Sequence, residues 1–130
     1  MIERAKCRWW SAIVFSVLLL IEASVAANER FHDAPLSADR LKNPYAGQRA
    51  AVRAGEELYK QNCFRCHWEN GEGAANFPRL RSGPTQAASD GQIFWFITHG
   101  DPTKGMPSFR LIPAQARWKI ITYLKSLSSK

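Results

Sequence analysis

A helical domain is what the sequence predicts, on three observations. Residues 48–62, 91–98 and 113–127 each place apolar side chains at helical spacing. The segments between them are broken by glycine, proline and asparagine, which end regular elements. The first helix also runs straight into Cys63-Phe64-Arg65-Cys66-His67, a five-residue run with a chemistry of its own.

A C-x-x-C-H run is the attachment signature of a c-type haem: two thiols bond to the porphyrin and the adjacent imidazole ligates the iron. Two intervening residues let the chain turn once, so that Cys63 and Cys66 reach one edge of a macrocycle and His67 is directed beneath the metal. Two other uses of paired cysteines compete. Zinc needs a second ligand pair, no cysteine follows Cys66, and His67 with His99 stand at no familiar finger spacing. A thioredoxin-like pair gives no reason for histidine directly after the second cysteine.

Taken from the start, residues 1–27 read as a signal peptide. Arg4, Lys6 and Arg8 form a basic head, residues 11–21 an apolar stretch, and Ser24-Val25-Ala26-Ala27 a small-residue cleavage site. The apolar stretch falls short of the roughly 20 residues of a membrane span, and Glu22 closes it. An uncleaved anchor is the alternative, because Trp9 and Trp10 extend the run toward the interface. Cys7 precedes the apolar stretch and is lost with it on cleavage.

Cleavage after Ala27 leaves 103 of the 130 residues. That length suits one small domain with a modest core, to which a haem adds a large apolar group. Without Arg4, Lys6, Arg8, Glu3 and Glu22 the chain keeps fifteen Lys/Arg against nine Asp/Glu, a balance of +6, and two haem propionates bring it to about +4. A positive surface steers an acidic partner. Nucleic acid is not favoured, since there is neither a basic run nor a ladder of alternating basic and aromatic residues.

Residues 28–47 are polar and broken by Pro35, Asn43 and Pro44, and read as an arm lying over the surface, with His32 solvated. The domain proper is then 48–130. In the first helix Val52, Gly55 and Tyr59 share a face with Leu58 beside them. Glycine inside a helix costs about 1 kcal/mol relative to alanine, so Gly55 signals the close approach of another element.

After His67 the composition is that of a loop, 68–78, fit to wrap the proximal side of the cofactor. Pro78 has no N–H, but its carbonyl is available to accept from the imidazole Nδ1–H and so fix the ring. Leu80 is placed to pack on the macrocycle, and Arg79 and Arg81 are either propionate partners or solvated. Residues 82–89 read as a connector. Asp90 reads as an N-cap for a helix in which Ile93, Phe96 and Ile97 face the pocket, while Phe94 and Trp95 point elsewhere.

The loop 99–109 carries Met106, which lies 39 residues beyond His67 and is the sole methionine besides Met1. A thioether is a soft, neutral sixth ligand that raises the potential relative to a second histidine. Gly105 and Pro107 around it favour a tight approach to the opposite face. His99 is the rival ligand, although a histidine ending a helix commonly bonds its own turn. An open sixth position is the remaining possibility. The last helix starts near Pro113, with Ala116, Ile120, Tyr123 and Leu127 on an apolar stripe, widened by Ile121 and Leu124, and Gln115, Lys119, Thr122 and Ser126 on a polar one. Tyr123 is the large ring that Gly55 admits.

From about residue 43 to the end, this order resembles class I c-type cytochromes: helix, Cys63-x-x-Cys66-His67, Pro78-x-Leu80, Gly105-Met106-Pro107, aromatic C-terminal helix. The resemblance implies an all-α, cytochrome c-like fold of three to four helices around one haem c, its N- and C-terminal helices crossing at the glycine/aromatic contact. It further implies that His67 and Met106 ligate, that Cys63 and Cys66 attach the cofactor, and that the protein is periplasmic, or anchored and facing the periplasm. Asn43-Pro44-Tyr45-Ala46-Gly47 looks like the small cytochromes that serve quinoprotein (PQQ) dehydrogenases. One position departs: these cytochromes commonly have glycine after the haem-binding histidine, and here it is Trp68, whose indole must swing outward or lie along the haem edge.

The expected function is a one-electron carrier, monomeric and not an enzyme, exchanging electrons with redox proteins that present an acidic docking surface, such as a quinoprotein dehydrogenase and an oxidase. A haem enzyme or gas sensor with an open sixth position is the alternative. A subunit held within a larger dehydrogenase or oxidase complex is a third reading.

Overall fold

The computed structural model describes residues 33–74 and 76–129. The expected signal segment, the first residues of the arm and His32 lie outside the described residues. Those described fold as five α-helices linked by 3-10 turns and loops, with no strand beyond two isolated bridges. The helices are α1 (Arg49–Asn62), α2 (Phe64–His67), α3 (Pro84–Ala87), α4 (Asp90–His99) and α5 (Ala114–Ser126).

Helix α1 is built from good helix formers, with Glu56 and Lys60 paired at 3.0 Å on its outer face. Its inner face meets α5 at Gly55. A Cβ there would overlap the Lys119 carbonyl and lie 3.0 Å from the Tyr123 Cβ, so only glycine permits the two backbones to come this close. One turn on, the Tyr59 and Tyr123 rings pack with centroids 5.3 Å apart and planes at 51°. The helix crossing at a glycine/aromatic contact is therefore present.

Around that crossing the core gathers Tyr59, Ala88, Ile93, Ile97, Ile120, Ile121, Tyr123, Leu124 and Leu127. Ile120 and Ile121 are both wholly buried, which shows α5 enclosed on more than one side. Thr122, expected on the polar stripe, is buried instead. Its hydroxyl bonds the Trp118 carbonyl within the helix and also accepts from Asn43, so a polar residue is satisfied inside and the stripe is narrower than periodicity implied. Arg117 is buried as well: Nε donates to the Ile112 carbonyl, Nη1 to the Thr98 hydroxyl, and the guanidinium lies 4.4 Å over the Phe94 ring. Burial pulls its pKa down, and the carbonyl, hydroxyl and π-face hold the charge, with no carboxylate paired to it among the described residues.

Two further details correct the sequence reading. The cap of α4 is Ser89 rather than Asp90: Ser89 Oγ accepts from the Gln92 N–H at 3.1 Å while Gln92 Oε1 accepts from the Ser89 N–H at 2.9 Å, a reciprocal capping box. The connector is not all loop, because Gly83 and Pro84 start the short α3, whose Gln86 side chain bonds the Leu80 and Leu124 carbonyls. The described part of the arm forms a 3-10 turn, Leu36–Arg40, against α4, where Gly91 leaves room for the Ala38 carbonyl. Asn43 then binds the arm to two helices, its Nδ2 reaching Asp90 Oδ2 at 2.9 Å and Thr122 Oγ1 at 3.0 Å.

Candidate cofactor site

Helix α1 ends because Cys63 takes a backbone conformation at the edge of the helical region (φ −117°, ψ −29°), and α2 begins at once with the motif itself. The Cys66 and His67 N–H groups both return to the Cys63 carbonyl, at 3.1 and 2.9 Å, so the run is a single tight turn. The Cys63 and Cys66 side chains are both half-buried and are not joined in a disulfide. Burial, with Cys66 beside it, pushes the Cys63 thiol up to about 12, so in the unattached chain it is held neutral.

His67 is buried, at 9 % exposure. Its Nδ1 lies 3.0 Å from the Pro78 carbonyl oxygen. A carbonyl only accepts, so Nδ1 carries the proton and Nε2 presents a lone pair. Burial lowers the imidazole pKa, and the Pro78 bond opposes that shift. The ring is a neutral, oriented nitrogen donor. That is the state a metal requires of histidine.

The loop that brings Pro78 to this position is closed by short backbone bonds. Gly73 N–H donates to the His67 carbonyl at 2.9 Å, Leu80 N–H to the Gly71 carbonyl at 2.7 Å, and Ala74 pairs with Phe77. Gly73 has φ 71°, and a Cβ on it would lie 2.7 Å from the Phe77 oxygen and 2.8 Å from the Arg79 nitrogen. The chain therefore passes beneath Pro78 only with glycine here. Leu80 is half-buried against the core, and Phe77 sets its ring across the imidazole, centroids 6.3 Å apart.

Trp68, immediately after the histidine, is 57 % exposed, with φ 59° and ψ 178°. That backbone region is nearly reserved for glycine, at a cost of order 1–3 kcal/mol for other residues. This is the position at which the resemblance leads one to expect glycine, which adopts such a conformation freely. The indole points outward, and the Trp68 carbonyl accepts from the Tyr59 hydroxyl at 2.8 Å. Sequence reasoning placed Tyr59 on the packing face but had no signal for where its hydroxyl goes.

Met106 stands on the other predicted segment. Asp101 and Met106 exchange both backbone bonds at 2.9 Å, and Lys104 N–H returns to the Asp101 carbonyl, closing a small loop with Gly105 at φ 82°. Gly100 has φ 73° and sits against the Met106 and Pro107 backbone, where a Cβ would lie 2.5–2.6 Å from their atoms. Two anchors hold the loop to α4: Ser108 Oγ donates to the Thr98 carbonyl at 2.7 Å and Phe109 N–H to the Ile97 carbonyl at 3.0 Å. The Thr103 hydroxyl, then Lys104, stabilise the Asp101 charge and lower its carboxyl pKa. Met106 itself is half-buried and packs on the same core cluster as Cys63 and Leu80.

The remaining candidates are engaged elsewhere. His99 is exposed, its Nδ1 2.8 Å from the Trp95 carbonyl and its ring stacked on Trp95 at 4.3 Å. Phe94 stacks on Trp118 at 4.1 Å, so it serves the helix packing. Arg79 Nε donates to the Glu72 carbonyl and Arg81 pairs with the Glu72 carboxylate at 3.3 Å. No group of three or more His, Cys, Asp or Glu able to hold a metal ion occurs among the described residues, which leaves the zinc alternative without its ligands. The donor set is one imidazole, two thiols one turn apart and a thioether, with Cys63 and Met106 packed on one apolar cluster. It suits an apolar macrocycle with a central iron.

A family model described as cytochrome C oxidase, cbb3-type, subunit III, matches residues 50–124, more than half of the chain. No significant match to a curated protein or to a solved structure accompanies it.

Proposed function

The chain belongs to the family described as cytochrome C oxidase, cbb3-type, subunit III, a cytochrome c domain that carries covalent haem c and transfers electrons rather than catalysing a reaction, and from that premise we propose that His67 and Met106 are its axial ligands. Cys63 and Cys66 are the attachment points, and Pro78 and Leu80 support the His67 side. The observation that carries the assignment is the Nδ1–Pro78 bond: it commits the His67 proton to one nitrogen and leaves the other for a metal. Haem c supplies one-electron redox chemistry. The protein holds both ligands, keeps water from the pocket and fixes the ring planes, so that little rearranges on electron transfer.

The proposed setting is the periplasmic face of a respiratory chain. Among the described residues no helix is long and apolar enough to cross a membrane. The partners are redox proteins with acidic docking surfaces, met through small, brief interfaces and steered by the positive balance of residues 28–130. An oxidase is the proposed acceptor. A quinoprotein dehydrogenase is the proposed donor, on the stretch Asn43-Pro44-Tyr45-Ala46-Gly47 alone.

The test of ligation is spectroscopic. Ferric holoprotein should be low-spin with the weak near-infrared band of methionine–iron ligation, and Met106→Ala should lose that band, lower the potential and bind cyanide readily. A high-spin resting iron, or a potential unmoved in Met106→Ala, rejects the sixth-ligand assignment. Reduction by the physiological donor should slow as salt is added; indifference to ionic strength rejects the steering. The family description also favours a second reading, a haem-bearing subunit held within an oxidase. Gel filtration of a native extract, followed at haem wavelengths, separates a small free carrier from an assembled one.

A further inference from the structure

The bond between Tyr59 and the Trp68 carbonyl joins the core to the residue after the predicted ligand. We infer that Tyr59 is a positioning residue for the His67 imidazole: its hydroxyl pins the Trp68 carbonyl and thereby sets the loop that brings Pro78 to Nδ1. The inference rests on reading His67 as the iron ligand.

Four observations converge on it. Tyr59 is 1 % exposed and clamped against Tyr123, so its hydroxyl is delivered from a rigid wall. Trp68 sits in a backbone region that non-glycine residues leave unless something holds them, and the contact with Tyr59, 2.8 Å, bears on that residue's own carbonyl. The same carbonyl accepts from the Gly71 N–H at 3.3 Å, and Gly71 in turn accepts from Leu80 and Arg81, the residues just past Pro78. A chain of hydrogen bonds thus runs from Tyr59, at the α1–α5 crossing, through Trp68 and Gly71 to Leu80 and Arg81, two and three residues beyond the Pro78 whose carbonyl orients the imidazole. Burial also keeps the Tyr59 phenol protonated far above its usual range, so the donor is never lost near neutrality. Asn70, the next left-handed residue (φ 55°), faces the Tyr123 hydroxyl across 3.5 Å, a longer and weaker tie.

With glycine after the histidine the backbone would accept this turn unaided. With tryptophan it has to be held. The importance of the Tyr59 hydroxyl is therefore coupled to the identity of residue 68, and a cycle of Tyr59→Phe, Trp68→Gly and the double variant measures that coupling. The holoprotein of each is examined in the ferric state by NMR, following the hyperfine-shifted ring protons of His67, and by amide exchange at Gly71 and Gly73. Tyr59→Phe should move the His67 ring resonances and speed exchange at both amides by about fivefold. Trp68→Gly alone should leave the ring resonances in place. In the Trp68→Gly background, Tyr59→Phe should produce less than half the displacement it does with tryptophan present.

Unmoved ring resonances in Tyr59→Phe, even with a lowered Tm, make the bond an ordinary core contact and overturn the inference, as does an equal displacement in both backgrounds. Should Tyr59→Phe fail to retain haem, its recovery in the double variant supports the coupling and its non-recovery rejects it. Wild-type protein with no hyperfine-shifted signals from His67 overturns the ligand assignment as well, which distinguishes that failure from the first.

Discussion

The two segments expected to grip the iron are built on different principles. His67 stands on a helical turn continuous with α1, and its orienting bond is reached through glycines, a buried tyrosine and a helix crossing. Met106 stands on a loop that closes chiefly on itself, through Asp101, Gly105 and Gly100, and touches α4 at Thr98 and Ile97. One side is a product of the whole fold. The other is a local device. Damage to the first should reach folding, whereas damage to the second should reach the iron's coordination with the helices intact.

The largest effect expected is loss of the fold on the His67 side. Replacing both Cys63 and Cys66 with alanine should abolish covalent haem, read by mass, and leave a chain with little cooperative unfolding by circular dichroism. Gly55→Val comes next: the side chain would collide with the Lys119 carbonyl, and overpacking against backbone should remove at least about 3 kcal/mol of unfolding free energy, measured in denaturant. Gly100→Ala bears on the opposite side. The glycine-reserved backbone at φ 73° and ψ −171° should by itself cost about 1–3 kcal/mol, and a Cβ pressed on the Met106 and Pro107 backbone should weaken the methionine–iron band, with helical content unchanged. If Gly100→Ala instead lowers helicity as Gly55→Val does, the contrast between the sides is wrong. Ser108→Ala removes one anchor and should cost about 1 kcal/mol, seen as faster cyanide binding rather than as a large fall in Tm.

The smallest effect sharpens the comparison through pH. Tyr59 has a folded-state pKa raised by burial, so its contribution is complete below the unfolded tyrosine value of about 10 and is lost as pH rises beyond it. Denaturant unfolding at pH 9 and pH 11 should show stability falling, and Tyr59→Phe should flatten that decline. An unchanged slope would show that the alkaline loss arises elsewhere.

Much of this was legible in the chain because its signals are local. The motif at Cys63–His67, the Gly55 packing site and the helices around Val52, Ile97 and Ile120 are written in short-range spacing, and the family match covers the same ground. Thr122 and Arg117 were misjudged or passed over since polar residues read as exposed, and their burial depends on partners 79 and 19 residues away in sequence, Asn43 and Thr98. The Ser89 cap was displaced by one residue because Ser and Asp are both capable caps, and the reciprocal Gln92 decides between them. Trp68 was recognisable as a departure. Its backbone angles and its tie to Tyr59 were not, because a left-handed residue leaves no trace in sequence when it is not glycine.

Asn43 carries a consequence for how the domain tolerates force on its N-terminal arm. Its amide rivets the segment ahead of α1 to the start of α4 and, through Thr122, to the middle of α5. A pull on the arm would be borne by the 3-10 turn seated on α4 and then by that rivet before reaching the helix that leads to the cysteines. The geometry around His67 would then stay still under a pull on the arm.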